Sequence, residues 1–183
     1  MRRIVLTGAL GLALALSGGA LAGKVGLVKP WVYDPNGTGL ATAEWTKDGL
    51  LLDNNAQTGV VATGAVVKGV AGEPLTSLSF ERKADTYCGA GSPRFSVRFE
   101  GESAYRFFTC LYGRKAPGSK EGWEKVTFSD ETPYCDGGSA APTGCFGDGK
   151  AVEAIFLVHD EGPSEALLDR IEVNGVVVSR HPS

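Results

Sequence analysis

The sequence predicts an all-β chain: a two-sheet antiparallel β-sandwich held by two disulfides. Three observations predict it. First, residues 94–100 alternate cleanly, with Phe95, Val97 and Phe99 on one side and Arg94, Ser96, Arg98 and Glu100 on the other. That is the period of a half-buried strand. Second, about eight to ten short strand-like runs are separated by turns rich in Gly, Pro, Asn and Asp, and no helical period is sustained anywhere. Third, the chain has four cysteines, an even count, all lying beyond a leader-like N-terminus.

The elements follow in order. Arg2 and Arg3 form a positive start, residues 4–16 are apolar, and Ala20-Leu21-Ala22 offers small residues to a signal peptidase. Residues 1–22 therefore read as a signal peptide cleaved after Ala22. Residues 23–183 read as one domain. Lys24 stands where the lipidated cysteine of a lipoprotein would be, which argues against a lipid anchor. Residues 23–39 read as a lead-in, with an extended Pro30-Trp31-Val32-Tyr33 and a turn at Asp34-Pro35-Asn36-Gly37.

Residues 40–46 make a strand containing Trp45, and Leu50-Leu51-Leu52 makes a short apolar one. Residues 59–70 form a Val/Ala/Gly strand, whose glycines suit close approach by a neighbour. Residues 75–82 alternate, with Leu78 and Phe80 inward. Residues 94–100 and 104–111 then pair across Gly101-Glu102-Ser103 as a hairpin. Residues 115–122 read as a polar loop, and residues 123–129 as a strand with Val126 and Phe128 on one side. Residues 132–150 are the longest irregular stretch. Residues 151–159 are apolar on both sides and belong in the centre of a sheet. Asn174-Gly175 joins the last two strands in a tight hairpin.

Four cysteines allow three pairings. Closure of the open end of the hairpin selects Cys88–Cys110, and proximity selects Cys135–Cys145. No CxxC pair exists, and neither histidine lies near a cysteine, which disfavours zinc.

Charge excludes some partners. Removal of Arg2 and Arg3 takes the formal charge from −3 to −5, with 16 basic against 21 acidic residues. Such a chain has no basic cluster for nucleic acid and no reason to bind anionic lipid. Catalytic signatures are also missing: there is no GxSxG, HExxH or P-loop, and of the two histidines His181 is in the tail and His159 in a strand. Glu44, Asp160 and Glu161 could in principle serve a carboxylate-dependent hydrolase. Binding to a sugar needs an aromatic face plus a few convergent polar groups. Trp123 and Tyr112 border the polar loop 113–122 and, with Trp45, are the candidate ligand-binding residues.

Leu168-Asp169-Arg170-Ile171-Glu172-Val173, preceded by Phe156-Leu157-Val158-His159-Asp160-Glu161-Gly162-Pro163, resembles the closing strands of jelly-roll carbohydrate-binding modules and galactose-binding-like domains. The resemblance covers about the last thirty residues. It implies a jelly-roll-like sandwich without catalytic activity that binds glycans, and a structural calcium held with the help of Asp169. The resulting expectation is a secreted or periplasmic, non-enzymatic binding domain for an extracellular polysaccharide or cell-envelope component. A small secreted hydrolase and a structural or protein-interaction domain of the envelope are the alternatives.

Overall fold

The computed structural model describes residues 28–130, 132, 135 and 144–178. Residues 1–27, which include the expected signal peptide, lie outside the described residues.

Among the described residues, twelve strands form two antiparallel sheets. The strands are β1 (Val28–Tyr33), β2 (Ala41–Trp45), β3 (Leu50–Asn54), β4 (Ala62–Val67), β5 (Leu78–Lys83), β6 (Arg94–Phe99), β7 (Arg106–Thr109), β8 (Arg114–Pro117), β9 (Trp123–Phe128), β10 (Val152–His159), β11 (Ser164–Val173) and β12 (Val176–Val177). The first sheet runs β1-β4-β10-β6-β7. The second runs β2-β3-β11-β5-β9-β8, with β12 paired to the end of β11. Successive strands cross repeatedly from one layer to the other, as in a jelly roll, so neighbours in a sheet come from distant parts of the chain.

The alternation predicted from sequence is the one that packs. Phe95, Val97 and Phe99 from the first sheet and Leu78, Phe80, Val126 and Phe128 from the second are all fully buried. Phe80 lies 5.5 Å from Phe95 and 6.1 Å from Phe128, ring centre to ring centre, which ties the two layers together. Phe108 continues the cluster to Phe128 at 5.9 Å and to Phe146 at 5.2 Å. These separations suit tilted and edge-on aromatic pairs and, for Phe108 and Phe146, a stacked one. The expected disulfides Cys88–Cys110 and Cys135–Cys145 are both present.

Two sequence expectations are corrected. Pro30-Trp31-Val32-Tyr33 is not a lead-in but the edge strand of the first sheet. Part of the expected loop 115–122 is strand β8, paired to β9. Its four residues are all exposed, because it is the outermost strand. An edge strand with two exposed faces has no reason to alternate, so periodicity misses it. Strand β10 is central, as expected, and its alternation shifts at a bulge after Val152, beyond which Ile155, Leu157 and His159 point inward.

Candidate functional site

The outward faces of the two sheets differ in kind. On the second sheet the charged side chains satisfy one another. Lys125 reaches Glu172 at 2.6 Å and Lys120 reaches Asp169 at 2.7 Å. Arg170 and Ser119 both meet the buried Glu81 carboxylate, at 3.3 and 2.6 Å.

The outward face of the first sheet is aromatic, and its polar atoms are not all satisfied. Cross-strand partners share a face. Register therefore gives one row of Trp31, Gly64, Val158, Arg94 and Thr109. The adjacent row is Lys29, Val66, Phe156, Ser96 and Phe107. Arg94 lies over the Phe107 ring at 5.0 Å and Arg98 over Tyr105 at 5.4 Å, while Tyr105 meets Phe156 edge-on at 6.0 Å. Trp31 lies across Gly64: a Cβ there would stand only 2.4 Å from the indole. That is the close approach the glycines of this strand foretold.

Five buried polar atoms on this face have no hydrogen-bond partner in the protein: Trp31 Nε1, Arg94 Nε, Ser96 Oγ, Arg98 Nε and Thr109 Oγ1. Ser96 and Thr109 are 6% and 1% exposed. Buried polar groups are normally bonded, and leaving one unpaired costs about 1–3 kcal/mol. Among the described residues only one further such atom occurs, Arg82 Nε, in the second sheet. The concentration is therefore a property of this face.

Two grooves lie along it. One, of about 430 Å³, is lined by Lys29, Pro30, Trp31, Val66, Lys68 and Phe156. The other, of about 410 Å³, is lined by Thr58, Gly59, Ala90, Gly91, Arg94, Phe107, Thr109, Asp160 and Glu161. In the second groove Arg94 grips Asp160 through two bonds of 2.6 and 2.7 Å. Glu161 accepts from the backbone N–H groups of Gly91 and Ser92, at 3.2 and 2.9 Å. Tyr87 also bonds to this carboxylate, and its phenol pKa is raised, by burial first and then by Glu161.

His159 lies beneath this groove, fully buried. Its Nε2 meets the Ser164 carbonyl at 3.1 Å, and its Nδ1 meets Ser92 Oγ at 3.0 Å. A carbonyl only accepts, so Nε2 carries the proton and Nδ1 accepts from the Ser92 hydroxyl. Ser92 is itself fully buried, so this Ser–His pair presents no nucleophile to a substrate. Burial lowers the His159 pKa, against the raising influence of the Ser164 carbonyl, Asp160, Glu161 and Asp53. Its folded-state pKa thus lies below the unfolded value of about 6.5. Above that value both states are neutral and His159 has no pH effect. As pH falls below it, the unfolded chain takes up the proton first and stability declines. Thermal unfolding between pH 7 and 5 is expected to show this decline, limited to about 1.4 kcal/mol per pH unit for one proton, and His159→Gln is expected to flatten it. An unchanged slope in the variant would assign the decline to carboxylates instead.

The residues singled out from sequence do not converge. Trp45 packs against the core and donates from Nε1 to the Val28 carbonyl at 3.0 Å. Trp123 faces outward on the second sheet, in a cleft of about 230 Å³ shared with Asp48, Lys83, Lys120 and Leu167, with the Lys120 ammonium 4.9 Å from its ring. Tyr112 lies in the short 3₁₀ turn Cys110–Tyr112 after β7, and does not line that cleft. Asp169 accepts from Lys120 and from the Arg170 backbone N–H, each at 2.7 Å. Among the described residues no group of three or more His, Cys, Asp or Glu side chains could hold a metal ion. Of the three carboxylates considered for hydrolysis, Asp160 and Glu161 are bound as above, and Glu44 is exposed on β2 of the other sheet.

Fold and crosslinks together define a disulfide-bonded all-β sandwich, of a kind suited to an oxidising, extracellular-type environment. Among the described residues no helix is long and apolar enough to cross a membrane. No protein-family model matches the chain, and no curated protein matches it. Among solved structures, a β-1,2-glucanase from Parabacteroides distasonis aligns with 80% of this chain and 22% of its own, at 15% identity and a TM-score of 0.41. The chain thus spans about a fifth of that enzyme's length, and a likeness so distant supports no reading of its function.

Proposed function

We propose that this is an exported, non-enzymatic glycan-binding domain, and that its binding surface is the outward face of the five-stranded sheet. The observation that carries the reading is the gathering of aromatic rings and partnerless polar atoms on that face. Sugar rings are apolar on their C–H faces and rich in hydroxyls at their rims. Trp31, Phe156 and Tyr105 offer flat apolar surface, while Arg94, Arg98, Ser96 and Thr109 offer hydrogen bonds that the protein leaves unmade. The two open grooves suit a chain laid along the sheet better than a small molecule enclosed in a cavity.

A glycan array followed by titration calorimetry tests this. Trp31→Ala is expected to weaken binding about thirtyfold, the equivalent of about 2 kcal/mol for an aromatic anchor. Trp123→Ala, on the other sheet, is expected to leave binding unchanged. Equal loss in both variants, or an array without any ligand, would remove the proposal.

A further inference from the structure

The groove at the Trp31 end has a chemistry of its own. Its side chains supply hydrogen-bond donors and no acceptor. The indole N–H of Trp31 is buried without a partner, and Lys29 and Lys68 add two exposed ammonium groups. Neither lysine has an ionic partner among the described residues. The remaining walls, Pro30, Val66 and Phe156, are apolar. A neutral sugar presents hydroxyls that both donate and accept, and a groove built for it would offer some of each. Donors alone, beside two positive charges, complement an oxyanion.

The contrast with the rest of the molecule sharpens this. The chain as a whole is net negative, at −3. Along the same face, Arg94 is already neutralised by Asp160 and Arg98 by Glu153. Among the described residues, uncompensated positive charge on this face is therefore confined to the Lys29/Lys68 end, beside two aromatic rings. An acidic polymer would be repelled over most of the surface and drawn to this one place.

We infer that the Lys29–Trp31–Lys68 groove binds an acidic sugar of a polysaccharide, a uronate or sulfate ester, with its ring against Trp31 and Phe156 and its oxyanion between the two ammonium groups. This rests on the reading that the sheet face binds glycan, and it specifies the ligand class.

Matched polymers test it. Polygalacturonate is compared with its carboxyl-reduced form, and chondroitin sulfate with its desulfated form, by affinity electrophoresis and calorimetry. At least one acidic polymer is expected to bind about tenfold tighter than its neutralised counterpart, with an affinity that falls as salt rises. The double substitution Lys29→Gln/Lys68→Gln is expected to remove about that tenfold preference, since it deletes two exposed ionic contacts. The same variant should leave binding of the neutralised polymer unchanged, while Trp31→Ala weakens both. Equal binding of acidic and neutralised forms, untouched by the lysine changes, would overturn the inference while leaving the sheet-face reading in place. Binding of duplex DNA as tight as that of the acidic polymer, insensitive to Trp31→Ala, would also overturn it, by showing charge attraction without sugar recognition. No binding to any of the four polymers would end it too, and the neutral members of the array would then decide the broader reading separately.

Discussion

Phe80→Ala is expected to lower stability by about 3–5 kcal/mol, the usual cost of truncating a fully enclosed phenylalanine. Phe80 has no exposed surface. It stands on β5 of the second sheet and touches Phe95 on β6 of the first, with ring centres 5.5 Å apart. Phe95 and Phe128 meet edge-on at 6.0 Å, so Phe80, Phe95 and Phe128 form a closed triangle across the interface between the layers. Removing one corner deletes buried apolar area and leaves a void that two sheets fixed by backbone hydrogen bonds cannot close. For a domain of this size the loss corresponds to a fall in Tm of about 10 °C. Tyr33→Ala, at a position 58% exposed, is the control and should stay within about 0.5 kcal/mol. Urea unfolding measures both. A loss below about 1.5 kcal/mol for Phe80→Ala would mean that the layers do not share one close-packed interior.

This core is legible in the sequence because its information is local. Whether Phe95 or Arg94 points inward is settled by period two within six residues, and Phe95, Val97 and Phe99 are indeed buried. Hairpin closure by Cys88 and Cys110 is equally local, since both cysteines flank strands that pair with each other. The binding face is not local. Trp31 reaches Phe156 only through β4, and Phe156 reaches Tyr105 only through β6. A strand order of 1-4-10-6-7 brings together residues more than one hundred positions apart. Nothing in a short window specifies such crossings, because non-local pairing is decided by the competition of whole strands for partners.

One trace of the face was nonetheless present. Strand β10 is apolar on both sides, the mark of a central strand. It is central, between β4 and β6. Yet among the described residues no strand or helix covers its outward Phe156 and Val158, which lie in a sheet whose other face is packed. An aromatic on the uncovered side of a central strand asks for a ligand or a partner. Trp123 and Tyr112 stand out in the sequence by their proximity to a polar loop, and loop proximity says nothing about which side of a sheet a ring occupies.

The paired substitution Cys88→Ala/Cys110→Ala is expected to cost about 3.4 kcal/mol through the unfolded chain, given a separation of 22 residues. The Cys135–Cys145 pair closes a loop of only 10 residues, so its removal should cost less, about 2.7 kcal/mol. The first pair also has a local duty that the entropy of loop closure does not count. It anchors the segment that walls the groove at the Arg94 end. Gly89 donates to the Ser92 carbonyl at 2.7 Å, and Leu111 donates to the Gly89 carbonyl at 3.1 Å. The same segment supplies the Gly91 and Ser92 N–H groups that hold Glu161. Without the crosslink these bonds must order a loop on their own, and the Arg94–Asp160 end should loosen before the sheet does. The expected pattern is therefore a lower urea midpoint together with faster amide exchange at Gly91 and Ser92, while exchange in the β1 and β4 strands changes only with global stability. Uniform acceleration across the first sheet would refute the local duty, and a midpoint loss equivalent to less than about 1 kcal/mol would refute the entropic one.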